Sequence, residues 1–123
     1  MAEHPNAAWA RKALEAAQRE GPAAMAEFLA EDVVWHEIGR SEPRHGIAEI
    51  AEAAASADYE IDWEVHDIVG NDEHVVVIAT ATGRRDGKTL DYKVAEVYHL
   101  KDGKVTERWA ISDDTQRIAE FFA

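Results

Sequence analysis

The sequence predicts a single α+β domain in which helices cover one face of a curved antiparallel sheet. Up to about residue 56, apolar residues recur mainly at helical spacing, whereas later they alternate with polar residues as in strands. Three turn signals divide this second part of the chain. A chain of 123 residues is long enough for one continuous core and too short for two, so we expect residues 1–123 to form one domain.

Three helices are predicted in the first part of the chain. The first covers about 6–19, where Asn6 is available as an N-cap and Gly21 as a C-terminal stop. The second, over 22–29, begins with a proline, whose missing N–H is harmless in a first helical turn. The third covers 46–56, where apolar residues again recur at helical spacing.

Five strands are predicted, the first of them a β-branched and aromatic stretch between the second and third helices. The turn signals Gly-Asn-Asp at 70–72 and Asp-Gly at 86–87 and 102–103 separate antiparallel neighbours, because tight hairpin turns need positive φ angles. A last helix is predicted after Asp113, which forms a capping-box pattern with Gln116. The predicted strands cover 32–38, 59–66, 73–84, 88–100 and 104–112.

The composition excludes several classes of function. Twenty-five acidic and 13 basic residues give a formal charge of −12, which repels phosphate backbones and anionic membranes, so we expect neither nucleic acid nor membrane partners. The absence of cysteine removes disulfides and thiolate nucleophiles, and with no signal-like or long apolar segment it predicts a cytoplasmic protein. The six histidines lack metal-binding spacing, so we expect no metal and no cofactor.

Two acidic residues stand in stretches that otherwise predict buried sheet, Glu37 in Val-Val-Trp-His-Glu-Ile-Gly and Glu96 in Tyr-Lys-Val-Ala-Glu-Val-Tyr. A carboxylate at such a place needs a charged partner, protonation, or a cavity that holds water or a ligand. A cavity position would supply acid and base groups for proton transfer. Glu37 and Glu96 are therefore the candidate catalytic residues, and the alternatives are a rim position for Glu37 and an ion pair with Arg108 or Lys93 for Glu96.

Strand alternation indicates which side chains share a face with these acids. If both acids point inward, Trp35 and Tyr98 do so as well. Aromatic side chains in a cavity suit a ring-shaped ligand, although they are equally explained as core. The inward positions of the last strand are Thr106, Arg108, Ala110 and Ser112. The predicted substrate-binding residues are Trp35, Trp63, Tyr98, Arg108 and Ser112.

The opposite face of the sheet is also apolar. On the same register Trp109 and Ile111 turn to that face, beside Val97. Apolar side chains on an open sheet face are typical of an interface between proteins. We expect a homodimer through this face.

The order helix, helix, strand, helix and meander resembles the cone-shaped nuclear transport factor 2 fold, which ketosteroid isomerases and SnoaL-like polyketide cyclases share. Residues 30–37 are similar to the ketosteroid isomerase pattern and place Glu37 on its general-base aspartate. Residues 95–100 resemble the strand with the oxyanion-hole aspartic acid and place Glu96 there. Trp-His-x-x-Gly and the ending over 102–109 resemble SnoaL-like proteins. The resemblance implies a sheet that encloses a pocket.

The chain differs from the ketosteroid isomerases in two respects. Ketosteroid isomerases carry a tyrosine on the first helix, where this chain has no tyrosine and the register falls near Ala13. Both matched acids are glutamate rather than aspartate. The expected function is therefore proton transfer on an apolar cyclic small molecule (isomerisation, cyclisation, hydration or dehydration), with Glu37 as base and Glu96 as hydrogen-bond donor. A binding protein without catalysis and a dimeric interaction domain are the alternatives.

Overall fold

The computed structural model describes residues 3–123 and contains helices on one face of a six-stranded sheet. This is the predicted α+β architecture. Two of its elements were not predicted: the second helix is a 3-10 helix, and a two-residue strand precedes the third helix. In chain order the elements are α1 (Pro5–Glu20), the 3-10 helix (Pro22–Phe28), β1 (Leu29–His36), β2 (Arg44–His45), α2 (Gly46–Ser56), β3 (Glu60–Gly70), β4 (His74–Arg85), β5 (Lys88–Lys101), β6 (Lys104–Ser112) and α3 (Thr115–Phe122).

The strand order in the sheet is β2-β1-β6-β5-β4-β3. Strands β3 to β6 form the antiparallel meander that the turn signals predict. The first strand joins this meander in parallel with β6 and brings Trp35 opposite Arg108. Because β1 ends at His36, Glu37 lies just beyond the strand rather than within it.

The bulge between β5 and β6 changes one predicted orientation. The register shifts between His99 and Leu100, so the pairing skips Thr106 on β6. The hydroxyl of Thr106 lies 2.8 Å from Nδ1 of His99 on the outer face, where the uninterrupted alternation had placed it inward. Val105 takes the inner position instead and is fully buried.

The N-cap of α1 was predicted two residues too late, at Asn6 instead of His4. The helix begins at Pro5, and Nδ1 of His4 accepts a hydrogen bond from the backbone N–H of Asn6 at 3.1 Å. The amide of Asn6 instead donates to the carbonyl of Asn71 at 2.9 Å and ties α1 to the turn between β3 and β4.

The cap of α3 was likewise predicted one residue early. The carboxylate of Asp114, not Asp113, accepts from the backbone N–H of Arg117 at 3.1 Å. Asp113 accepts from the backbone N–H of Lys93 at 3.3 Å, so it joins the end of β6 to β5.

Helix α1 packs closely on the inner sheet face because its buried side chains are small. Its buried residues recur every three positions and are all alanine: Ala7, Ala10, Ala13 and Ala16. Ala7 and Ala10 belong to one core cluster with Val33, Val75 and Val77 of the neighbouring strands. Among the described residues, no helix is long and apolar enough to cross a membrane.

The C-terminal helix α3 closes the other end of the inner face. Ile118 is buried there among Ala79, Ala81 and Val94. Arg85 holds the end of the helix, because its Nη1 donates to the carbonyl of Phe121 at 3.2 Å. The helix is thereby fixed over the far part of the sheet.

Replacing Gly39 by alanine should loosen this helix. Gly39 has φ +84°, and a Cβ there would lie 2.6 Å from Cβ of Ala119, so the change combines backbone strain with overpacking. We expect a loss of about 1–3 kcal/mol in the free energy of unfolding, measured by urea denaturation. Gly87→Ala is the matched control, since its φ is +75° with no atom within 4 Å. Equal losses in the two variants would contradict the close packing of α3 on Gly39.

Candidate active site

Two neighbouring cavities lie between the helices and the inner face of the sheet. The helix-1 cavity, of about 570 Å³, is bounded by α1 and the 3-10 helix, and its polar walls include Glu96, Tyr98 and Arg108. The helix-3 cavity, of about 290 Å³, is bounded by α2 and α3, and Glu37 is part of its wall. The two cavities share four lining residues, which are Trp35, Ile61, Trp63 and Arg108.

Glu37 lies where the helix-3 cavity meets a wider cleft on the surface. The cleft, of about 860 Å³, runs between α2, α3 and the loop after β1, and its walls include charged side chains such as Arg40, Glu42 and Glu49. Tyr59 and Phe122 line both the cleft and the helix-3 cavity, as Glu37 does. The cleft is therefore the route from solvent toward Glu37.

Glu96 forms a buried ion pair with Arg108. Both side chains are more than nine-tenths buried. One carboxylate oxygen of Glu96 accepts from Nε of Arg108 at 3.0 Å and also from its Nη2, and the other accepts from the hydroxyl of Tyr98 at 3.2 Å. All three partners are donors, so Glu96 acts as an acceptor in this arrangement. The contacts match the ion-pair alternative that the sequence left open.

Arg108 is held in place on three sides. Its Nη1 donates to the carbonyl of His36 at 3.0 Å, and its guanidinium lies 4.4 Å from the ring centre of Trp35. Burial acts against its charge, but the carboxylate of Glu96 together with smaller contributions from Tyr98 and Glu37 outweighs burial, and the pKa of Arg108 is raised. Because each terminal nitrogen carries two N–H groups, Arg108 keeps donors beyond these bonds on a wall shared by both cavities.

Glu37 is clamped by Arg44 from the short strand β2. Nε of Arg44 donates to one carboxylate oxygen at 2.8 Å, and Nη2 approaches the other at 3.4 Å. The hydrogen bond to Glu37 raises the pKa of Arg44. The carboxylate keeps 30% of its side-chain surface exposed, so it is at once a rim residue and part of the cavity wall.

Two tyrosines that were not predicted as site residues line the helix-3 cavity. Burial, and then the charge of Glu96, raise the pKa of Tyr92 to about 12. Burial, with a contribution from Glu37, also raises the pKa of Tyr59. Tyr92 has the same strand parity as Glu96, so alternation along β5 places it on the inner face without showing that it lines a cavity. Arg44 had no such signal, because its strand is two residues long.

The structure brings most of the predicted site residues together. Trp35, Trp63 and Arg108 line both cavities, and Tyr98 lines the helix-1 cavity. Glu37 and Glu96 lie on adjoining cavities rather than in one. Ser112 lies elsewhere, with its hydroxyl 3.2 Å from that of Thr115 at the start of α3. In the part of the chain that the structure describes, no group of three or more His, Asp or Glu side chains is arranged to hold a metal ion.

Known structures share this fold at low sequence identity. A nuclear transport factor 2-like protein from Burkholderia xenovorans is 24% identical, with a TM-score of 0.81 and coverage of 100% of this chain and 99% of its own. An epoxide hydrolase of the LEH-like type from M. tuberculosis is 20% identical, with a TM-score of 0.75 and coverage of 96% and 94%. TerC, co-crystallised with polyporic acid, is 20% identical, with a TM-score of 0.76 and coverage of 93% and 98%.

These likenesses establish the nuclear transport factor 2-like fold that the sequence predicts. No functionally curated protein matches the chain significantly. The family model described as SnoaL-like domain matches residues 10–108, which is most of the chain. The protein therefore belongs to the SnoaL-like domain family.

Proposed function

We propose that the protein binds an apolar cyclic small molecule in the helix-3 cavity and assists a proton transfer on it. The observation that carries this proposal is that a carboxylate and a guanidinium, those of Glu37 and Arg108, line one largely apolar cavity. Such a cavity with a few polar groups is the usual form of a small-molecule site. A base and a hydrogen-bond donor facing the same ligand are what proton abstraction next to a carbonyl requires.

The lining of the cavity supports a ring-shaped ligand. Its apolar walls include the aromatic side chains of Trp35, Trp63 and Phe122 and the aliphatic side chain of Ile118. Flat aromatic walls favour stacking or edge contacts with a ring. The epoxide hydrolase and the complex of TerC with polyporic acid add support, because an epoxide and polyporic acid are both small organic compounds.

In the proposed reaction Glu37 takes a proton from the carbon next to a carbonyl group. The electrons of the broken C–H bond move to the carbonyl oxygen, and an N–H of Arg108 stabilises the resulting enolate. In an isomerisation the proton then returns from Glu37 to carbon, and in a dehydration it leaves with the departing hydroxyl group as water. Isomerisation, cyclisation and dehydration share this first step, and water addition uses the same base on a water molecule.

Glu96 takes a different part in this proposal from the hydrogen-bond donor of the sequence interpretation. Its two oxygens accept from Arg108 and Tyr98, so it has no proton to donate to a ligand in this arrangement. We therefore assign Glu96 as a positioning residue that holds the guanidinium of Arg108 against the cavity.

Hydrogen exchange into 2-tetralone tests the proposal, because this bicyclic ketone has acidic C–H groups next to its carbonyl and is small enough for the cavity. In D₂O near neutral pH, the protein should accelerate deuterium incorporation, measured by NMR, in proportion to protein concentration. Exchange at the rate of buffer alone, despite binding of the ketone, would overturn the catalytic part of the proposal.

A second candidate function is ligand binding without catalysis. It is favoured by the clamp of Arg44 on Glu37, because a carboxylate whose two oxygens are both contacted by a guanidinium is less free to approach a C–H group of a ligand. Binding of 2-tetralone with unchanged exchange would assign the cavity to storage or transport of a ligand rather than to its conversion.

We also propose that the protein forms a homodimer through the outer face of the sheet. The large hydrophobic side chains that remain exposed among residues 3–123 are Val69, Ile78 and Ile111. Ile78 pairs with Ala95, and Ala95 pairs with Ile111, so an apolar row crosses three strands of this face. Val69, paired with Val76, extends the patch onto β3. An exposed patch of this kind is typical of an interface between two identical chains.

The mass in solution checks the dimer. Light scattering should give twice the 13.7 kDa of one chain. Ile111→Glu should give the single-chain mass, because a buried unpaired carboxylate in the interface is costly. Ala51→Glu, an equal charge on the exposed side of α2, should leave the dimer intact. A single-chain mass for the unmodified protein would contradict the proposal.

A further inference from the structure

We infer that the hydroxyl of Tyr92 is a second donor, beside Arg108, that recognises an oxygen atom of the ligand, and that the ligand therefore carries a carbonyl, ether or epoxide oxygen. This inference deepens the proposed function and rests on it. Tyr92 is additional to Glu37, Glu96 and Arg108, the residues to which the proposed function gives a role.

The ring of Tyr92 is buried, and its hydroxyl opens into the helix-3 cavity. The residue is only 5% exposed and belongs to the core cluster below α3. The hydrogen bonds formed among residues 3–123 include none to its hydroxyl, and this oxygen is not among the fully buried atoms that lack a partner, so it is reached from the helix-3 cavity that the residue lines. A polar group that faces a cavity and has no protein partner bonds to water or to a ligand. The open side of Tyr92 is the cavity.

Tyr98 shows the contrast on the same strand. It is buried to the same extent as Tyr92, and its hydroxyl donates to Glu96 at 3.2 Å. Of the two buried tyrosines on β5, Tyr98 thus has a protein partner for its hydroxyl, whereas the hydroxyl of Tyr92 faces a cavity. A hydroxyl that served only the core would be expected to resemble Tyr98.

The charge of the surroundings determines what Tyr92 can recognise. Its hydroxyl is protonated at neutral pH, and burial and the charge of Glu96 raise its pKa further, to about 12. A protonated phenol beside carboxylates is best used as a donor to a neutral or developing negative oxygen. Glu37 and Arg108 on the same wall carry opposite charges, and each already has an ion-pair partner, so the wall offers no net charge to a charged ligand. The ligand class is therefore an uncharged ring compound with an acceptor oxygen.

The test compares two ligands of the same shape, 2-tetralone and tetralin, which differ in the carbonyl oxygen. Dissociation constants by NMR titration are measured for the unmodified protein and for Tyr92→Phe. The variant should lower the preference for the ketone over the hydrocarbon by about 2- to 10-fold, the range of one net hydrogen bond. Its affinity for tetralin should stay unchanged, because the ring that packs is the same.

A second measurement separates recognition from structure. Thermal unfolding of Tyr92→Phe without ligand should occur at the same or a higher temperature, since the removed hydroxyl has no protein partner. Tyr98→Phe should unfold at a lower temperature, since it leaves Glu96 without one donor.

The outcomes distinguish this inference from the proposed function. An unchanged ketone preference in Tyr92→Phe would overturn the role of Tyr92 and leave the proposed cavity intact. A lower unfolding temperature in Tyr92→Phe would also overturn it, because the hydroxyl would then have a structural partner. If neither compound binds the unmodified protein, the proposed function fails and this inference fails with it.

Discussion

Replacing Glu37 by glutamine should lower the rate of hydrogen exchange into 2-tetralone by about 10²- to 10⁴-fold, the usual contribution of general-base catalysis. Glutamine keeps the shape of the side chain, and its carbonyl oxygen still accepts from Arg44. It has no carboxylate to accept the proton from carbon. The affinity for the ketone should therefore change little while the exchange rate falls.

The control for this variant is Glu64→Gln, which removes the same charge from an exposed position on β3. Its exchange rate should equal that of the unmodified protein. If both variants lose activity equally, the effect comes from the net charge and not from Glu37. If Glu37→Gln keeps the full rate, Glu37 is not the base and the binding function without catalysis is favoured.

Replacing Arg108 by methionine should destabilise the protein by about 3–5 kcal/mol, because the change leaves the carboxylate of Glu96 buried without its partner. Methionine preserves most of the side-chain volume, so cavity formation contributes little. The measurement is the free energy of unfolding from urea denaturation at neutral pH.

A double variant and a surface control complete this experiment. Arg108→Met with Glu96→Leu removes both charges and should recover most of the loss, since buried ion pairs are often replaceable by apolar residues. Arg84→Met breaks the exposed pair between Arg84 and Asp62, and should cost no more than about 1 kcal/mol. A loss at Arg108 as small as that at Arg84 would contradict the buried ion pair.

Local signals in the sequence were sufficient for most of the fold. Hairpin turns at Asp86-Gly87 and Asp102-Gly103 have positive φ angles in the structure, so the turn chemistry placed the meander correctly. Errors arose where the outcome depends on neighbours that the sequence does not show. The bulge at Thr106 is set by the pairing of β5 with β6, and the two residues of β2 carry too little pattern to predict a strand.

The candidate site was predictable only in part, because strand alternation shows which side chains share a face of the sheet and no more. Alternation along β5 and β6 placed Glu96, Tyr98 and Arg108 on one face, and the structure pairs them. Alternation does not tell which inward residues bond to one another and which face a cavity. Tyr92 was therefore missed, and the separation of Glu37 from Glu96 by the shared wall of two cavities became visible only in three dimensions.

The parallel pairing of β1 with β6 has a consequence for the order of folding. It places Trp35 beside Arg108, although these residues are far apart in the chain. Contacts between distant segments form slowly, because the intervening loop must close before they contribute stability. During synthesis, β1 has only the two-residue β2 as a neighbour in the sheet until β6 emerges from the ribosome. The wall between the two cavities is thus among the last parts of the protein to form, and a nascent chain without β6 has no site for a ligand to stabilise.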